Sequence, residues 1–208
     1  MAQTSYMKFE AAQLKLVSAA RDVHARGWVP ATSGNFSMRL ADGDIAITVS
    51  GRDKGKLSAE DVMRMSANGE PVGRGKPSAE ALLHSQLYRR DERINAILHT
   101  HSVNATLASQ TDAKQLNFQG LEILKAFSGI KTHDTSITIP IFDNNQDIQS
   151  LADDVERRMS EHDQGVAYLI AGHGVYTWGS DIDDCMRHLE ALEFLFDYDR
   201  LSRAGVAE

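Results

Sequence analysis

Two histidines one residue apart close an apolar run, Ala96-Ile97-Leu98-His99-Thr100-His101-Ser102, and a third stands between glycines in Gly172-His173-Gly174. Neutral imidazole is a common metal ligand. On a β-strand, residues i and i+2 leave the same side of the pleat. If the run is a strand, His99 and His101 therefore face one ion. His173, at the end of a second apolar run, Val166-Ala167-Tyr168-Leu169-Ile170-Ala171, is the candidate third nitrogen. Three protein ligands with one open position are the arrangement of a catalytic zinc site.

Two loops carry groups suited to an anion. Thr32-Ser33-Gly34-Asn35 offers small residues whose hydroxyls and backbone N–H groups can cradle one, or simply a turn. Ser50-Gly51-Arg52-Asp53-Lys54-Gly55-Lys56 puts a hydroxyl, flexible backbone and three cations into seven residues, the one basic spot in an acidic chain. Such a loop fits a phosphate monoester or a solvated charged turn. Two carboxylates could move protons. Glu80 lies four residues before His84 on the same helix face, and Glu122 sits between Leu121 and Ile123 in a helix-like stretch. His84 itself reads as a hydrogen-bonded helix residue near the core, and Glu122 either as a solvated position or as a group aimed into a site.

The elements that must position these groups follow from periodicity. Leu14, Val17, Ala20 and Val23 mark a helix over 9–26 that stops at Gly27. Residues 36–40 and 45–49 alternate about Asp42-Gly43-Asp44, a hairpin. Ser58 caps a short acidic turn, and Lys76-Pro77-Ser78 opens a helix through Glu80, Leu83, Leu87 and Tyr88. The histidine strand follows, then a helix capped by Ser102, a helix over 118–127, and a strand over 135–142 placed near a sheet edge by Pro140. A charged helix over 149–162 precedes the strand ending at His173. After residues 175–179, a last helix from Asp181 or Asp183 carries Leu189, Leu192, Phe196 and Leu201, a stripe suited to core or subunit contact.

Composition narrows the class. The chain has 208 residues, 42% hydrophobic and 25% charged, with no linker-like stretch, so one compact domain over 1–208 is expected. A net charge of -7 argues against a nucleic-acid surface. No apolar run approaches the roughly 20 residues of a membrane span and no signal pattern opens the chain, so a cytoplasmic location is expected. Cys185, the single cysteine, cannot form an intramolecular disulfide and reads as a helix residue.

Taken together, Thr32-Ser33-Gly34-Asn35, Ser50-Gly51-Arg52, Pro77-Ser78-Ala79-Glu80, His99-Thr100-His101-Ser102 and Gly172-His173-Gly174-Val175-Tyr176 resemble, in order and over nearly the whole chain, the class II aldolase family of zinc enzymes acting on small sugar phosphates. Ala25-Arg26-Gly27-Trp28, Pro140-Ile141-Phe142-Asp143-Asn144 and Arg187-His188-Leu189-Glu190-Ala191-Leu192-Glu193 resemble the dehydratase branch of that family. The resemblance implies a three-layer α/β/α sandwich around a mixed, mostly antiparallel sheet, where the residues alone imply only mixed α and β with hairpins. It implies a homotetramer with sites near subunit interfaces and one Zn2+ per subunit on His99, His101 and His173. Phosphate contacts fall on Ser33, Gly34, Asn35, Ser50, Gly51 and Ser78, with Arg52 in the same basic loop. Ala79 departs from the aldolase branch, which has a second hydroxyl residue there. The aldolase branch places its carboxylate at Glu80, whereas the dehydratase branch is expected to use one after the histidine strand, where Glu122 lies. The implied activity is dehydration of a ketose phosphate. The alternatives are sugar-phosphate aldol cleavage or, less in keeping with three retained histidines, a non-catalytic adducin-like binding module.

Overall fold

In the computed structural model, which describes residues 7–160 and 165–205, helices and strands follow in the order α1 (Phe9–Ala25), β1 (Asn35–Arg39), β2 (Ile45–Thr48), β3 (Val62–Met65), β4 (Pro71–Val72), α2 (Ala81–Arg90), β5 (Ala96–Thr100), α3 (Val103–Ser109), β6 (Gln115–Gln119), β7 (Ser136–Phe142), α4 (Ile148–Ser160), β8 (Ala167–Ile170), β9 (Gly174–Gly179) and α5 (Ile182–Gly205). The strands form one sheet in the order β4-β3-β2-β1-β5-β9-β8-β7-β6. Each neighbouring pair is antiparallel except β7 and β8, which run parallel. The sheet is mixed and mostly antiparallel.

Period-2 alternation divides the core between the two faces. Ala96 and Leu98 of β5, Leu169 of β8 and Val175 of β9 pack with α1, α3 and α5. Ile97, Tyr168, Tyr176 and Trp178 pack on the other face with Leu83 and Leu87 of α2 and Leu151 and Val155 of α4. Three layers result, α/β/α. Because β5 is central and every one of its residues is buried, it reads in sequence as a continuous apolar run rather than an alternating one. Each fully buried Leu or Ile there contributes about 1.5–3 kcal/mol through the area removed from water.

Several elements differ from the sequence expectation. The stretch 118–127 is not one helix. Gln-Leu-Asn-Phe-Gln forms the edge strand β6, with Leu116 and Phe118 buried and its glutamines and Asn117 exposed, and Glu122–Ala126 forms only a 3-10 turn. The period of Leu116 and Phe118 is 2, and Gly120, at φ +71°, ends the strand. Pro140 lies in β7, one strand in from that edge, opposite Gln115. Glu80 is the N-cap of α2 rather than a residue inside it. β8 stops at Ile170, so His173 stands in the tight turn before β9. His162, the expected end of α4, lies outside the described residues. On α5, Leu189, Leu192 and Phe196 are buried while Leu201 is exposed.

Candidate metal centre and phosphate pocket

β5 delivers His99 and His101 at its C-terminal end, and the antiparallel partner β9 begins beside them. Gly174 makes this approach possible, because a Cβ there would stand 2.0 Å from the Thr100 carbonyl oxygen. His173, the residue before it, is thereby held against the strand pair. The His101 and His99 Nε2 atoms are 2.8 Å apart, His173 and His101 3.1 Å, and His99 and His173 3.3 Å. Glu80 completes the group, with Oε1 3.1 Å from His173 Nε2 and Oε2 3.5 Å from His99 Nε2. One ligand atom from each of these four residues lies within 4.8 Å of all the others.

The protonation states fit a cation. His99 Nδ1–H donates to the Val175 carbonyl at 3.0 Å and His173 Nδ1–H to Asn144 Oδ1 at 3.3 Å, so both present an unprotonated Nε2 to the centre. Burial holds His99 well below the usual histidine range, and burial together with His173 pushes His101 down to about 4. Burial alone would raise the Glu80 carboxyl, but its neighbours His173 and His99 and the Asn35 amide hold it well below the carboxylate range. Converging lone pairs beside a carboxylate repel one another unless a positive ion sits among them. The donor set therefore fits a divalent metal ion.

Behind Glu80 runs a chain of buried hydrogen bonds. Asn35 Nδ2 donates to Glu80 Oε2 at 2.8 Å, and Asn35 Oδ1 accepts from His84 Nε2. His84 Nδ1 then accepts from Ser37 Oγ at 2.7 Å, and Ser37 in turn accepts from Tyr88 Oη at 2.8 Å. Every donor points toward the carboxylate. Burial pushes His84 down to about 3, which keeps it neutral in this role. The His99 ring also stacks on Tyr176, 4.0 Å between centroids and 13° between planes.

Next to the metal centre opens a cleft of about 440 Å³, lined by Thr32, Ser33, Gly34, Asn35, Ser50, Gly51, Ser78, Ala79, Glu80, His101, Asn144 and His173 among others. Three separate loops meet there. Ser50 N–H donates to the Lys76 carbonyl, joining the second to the third. The first is held by a backbone that few residues could adopt: Ala31 has φ +56°, and Gly34 has φ +75° with a Cβ position 2.6 Å from the His99 carbonyl oxygen. Ser33 Oγ is buried in this lining without a hydrogen-bond partner, so the cleft has an unfilled place for a polar group. Arg52 is not in the lining; its exposed guanidinium pairs with Asp61 at 3.2 Å.

Glu122 lies elsewhere. Its carboxylate is 70% exposed and pairs with Lys125 and, at 3.6 Å, with His133. The 3-10 turn that carries it follows β6, whose last residue Gln119 is opposite Ser136 at the start of β7, whereas the far end of β7 leads to Asn144 beside His173. Leu124 and Phe127 anchor the turn on the α1/α3/α5 face, while His99 shares its face with Tyr176 and α2. Within one chain, Glu122 and the histidine cluster occupy opposite ends and opposite faces of the sheet.

Sequence reasoning missed the Ser37 and Tyr88 members of the chain behind Glu80. Contacts across 45 to 51 residues leave no local pattern, although a Ser between Phe36 and Met38 on a predicted strand was a signal in principle.

The fold and the cluster are those of an α/β protein with a site fitted to a divalent metal ion, and comparison places the chain within a family. Residues 14–198 match the Class II Aldolase and Adducin N-terminal domain, and the chain belongs to that family. It is 52% identical over 190 residues to a methylthioribulose-1-phosphate dehydratase of Methylococcus capsulatus, covering 91% of this chain and 93% of that protein. It is 48% identical to the protein of the same name from Sorangium cellulosum, covering 93% of each. An L-fuculose 1-phosphate aldolase superposes with a TM-score of 0.80 at 20% identity, over 99% of this chain and 92% of that one, a likeness of fold.

Proposed function

We propose that this chain, acting as a single domain, removes water from 5-methylthioribulose 1-phosphate to give 2,3-diketo-5-methylthiopentyl 1-phosphate, a step of methionine salvage. The observation that carries the reading is the meeting of a three-histidine, one-carboxylate cluster with a hydroxyl- and glycine-lined cleft, in a chain 52% identical to a protein of that name. Zn2+ is the metal assigned to His99, His101 and His173, because nitrogen ligands in a compact buried site suit it. When bound it supplies Lewis acidity, polarising the ketose carbonyl and acidifying the neighbouring C–H.

The remaining work falls to the chain. Ser33, Gly34, Asn35, Ser50, Gly51 and Ser78 hold the phosphate through hydroxyls and backbone N–H groups, with Arg52 in the same basic loop. Glu122 takes the proton from the carbon beside the carbonyl and returns it to the departing hydroxyl at the next carbon, so that one water leaves. Since its own cluster is at the other end of the sheet, Glu122 serves the cluster of a neighbouring chain, and the homotetramer is the working unit. Exposed apolar residues Val103 and Leu107 on α3 and Phe194, Tyr198 and Leu201 on the adjoining α5 support such a contact. Glu80, held by Asn35, fixes the geometry of the metal centre. Among the described residues no helix is long and apolar enough to cross a membrane, and the enzyme is assigned to the cytoplasm.

The test is metal analysis of the purified protein, then incubation with 5-methylthioribulose 1-phosphate and mass spectrometry. A product lighter by one water supports the reading; two carbon fragments would move it to the aldolases, and no turnover by a metal-loaded oligomer would sink it.

A further inference from the structure

Lys54 is a buried lysine, 1% exposed, in a chain whose other cations are mostly at the surface. Its Nζ donates to the Thr32 carbonyl at 3.1 Å and to the Arg52 carbonyl at 2.9 Å. Those carbonyls belong to two different loops, and each adjoins residues that line the cleft, Ser33 on one side and Gly51 on the other. Among the described residues no carboxylate lies within ion-pair distance of this ammonium: Asp53, its neighbour in sequence, pairs instead with His24 and Lys56. Burial pushes Lys54 down to about 8, only partly offset by Asp53. Its charge also reaches His101, adding to the influences that lower it.

An ammonium taken out of water without a counter-ion costs several kcal/mol unless something compensates. Two carbonyl dipoles compensate in part, and an anion in the adjoining cleft would compensate further. Arg52, the cation that the loop sequence makes most prominent, points away and is neutralised by Asp61.

We infer that Lys54 is the positioning residue of the phosphate site, tying the Thr32–Gly34 and Ser50–Arg52 loops together and supplying from beneath them the positive charge that the substrate's phosphate meets. The inference rests on the phosphate reading of the cleft given above. It assigns the electrostatic part of binding to a side chain that does not itself line the cavity.

Three substitutions separate its parts. Lys54→Met keeps length without donors or charge, Lys54→Gln keeps two donors without charge, and Lys54→Arg keeps both. Steady-state kinetics on the metal-loaded enzyme, with phosphorus NMR titration of inorganic phosphate alongside, should give a rise of at least about tenfold in KM and in the phosphate Kd for Lys54→Gln, with kcat within about threefold and metal content unchanged. Lys54→Arg should restore most of the loss, and Arg52→Ala should raise KM less than Lys54→Gln does. A purely structural clamp would be repaired by Gln, so wild-type KM and phosphate Kd in Lys54→Gln overturn the proposal. So does an Arg52→Ala effect larger than that of Lys54→Gln, which holds even if Lys54→Met does not fold. A wild-type enzyme inactive on 5-methylthioribulose 1-phosphate would remove the assigned reaction but leave the phosphate titration to decide the role of Lys54.

Discussion

The two ends of the central sheet handle a carboxylate in opposite ways. At the end where β5 stops, Glu80 is enclosed by His99, His173 and Asn35, and a line of donors back to Tyr88 aims it. At the other end, Glu122 stands in solvent on a 3-10 turn, paired with Lys125 and His133. The first environment is finished by the chain's own folding, since strand register and the α2 N-cap fix each group. The second is open, and a group so exposed is available to a neighbour. On the proposed reading, the metal cluster and the proton-moving carboxylate come from different parts of the surface, and assembly of chains would bring them together.

The largest expected effect breaks the first end. Alanine at His99, His101 or His173 removes one of three converging nitrogens, and metal analysis should find stoichiometric metal lost from each variant together with turnover. Full metal in all three would end the assignment of the cluster.

The next effect tests whether the two ends cooperate. Glu122→Gln keeps shape but cannot cycle a proton, so kcat should fall at least about 10²-fold with metal and fold retained. Mixing subunits then sharpens the comparison. In tetramers reassembled from equal parts of Glu122→Gln and His99→Ala chains, a site that combines one chain's cluster with another's carboxylate should recover up to about a quarter of wild-type activity. No recovery from two properly mixed inactive chains would place both groups of a site on one chain, against the geometry of the sheet.

A smaller effect concerns the line behind Glu80. Ser37→Ala leaves the His84 Nδ1 and the Tyr88 hydroxyl without their buried partner, at a cost of about 1–3 kcal/mol in stability, and should loosen metal binding roughly 10- to 100-fold, as loss of an outer hydrogen-bond partner does. The pH dependence carries the same signature. His84 is held neutral, its pKa pushed down to about 3 by burial, whereas an unfolded histidine titrates near 6.5. Between those values the unfolded chain binds the extra proton, so stability is complete above about pH 6.5 and declines as pH falls toward 3. In the metal-free protein, denaturant titrations should show His84→Gln shallower by up to about 1.4 kcal/mol per pH unit across that window. An unchanged slope would mean that His84 is not the buried neutral group described.

How far the sequence could be read follows the same division. His99 and His101 were legible because a two-residue period on a buried strand is local information, and the glycines beside His173 marked the close approach that Gly174 makes to Thr100. The three layers and the mostly antiparallel sheet came from the family resemblance, and the strands bear them out. Lys54, Ser37 and Tyr88 were not legible, since their partners lie 22 to 51 residues away or are backbone carbonyls that any sequence possesses. The helix expected over 118–127 failed because the apolar pair Leu116 and Phe118 belongs to an edge strand whose alternation starts before the stretch considered. The role proposed for Glu122 rests on resemblance, and its solvated position agrees with the plainer of the two readings that the residues themselves allowed.

The smallest effect is expected from Lys125, and it probes the open end most directly. The Lys125 hydrogen bond is the main influence that lowers the Glu122 carboxyl, with burial opposing it and the charges of Lys125 and His133 adding to the lowering. Both side chains are well exposed, so the pair contributes little to folding and Lys125→Met should leave thermal stability unchanged. Its influence on chemistry has a definite sign. A base must be deprotonated to take the C–H proton, so activity falls on the acid side as Glu122 becomes protonated. Removing Lys125 lets that carboxyl rise toward its ordinary range, and the acid limb of the kcat profile should move to higher pH while the plateau changes by less than about threefold. Lowered activity at acidic pH with an unchanged plateau would tie the limb to Glu122. If the limb stays in place in Lys125→Met, the titration that governs turnover belongs to the histidine end, and the carboxylate at the open end is a spectator.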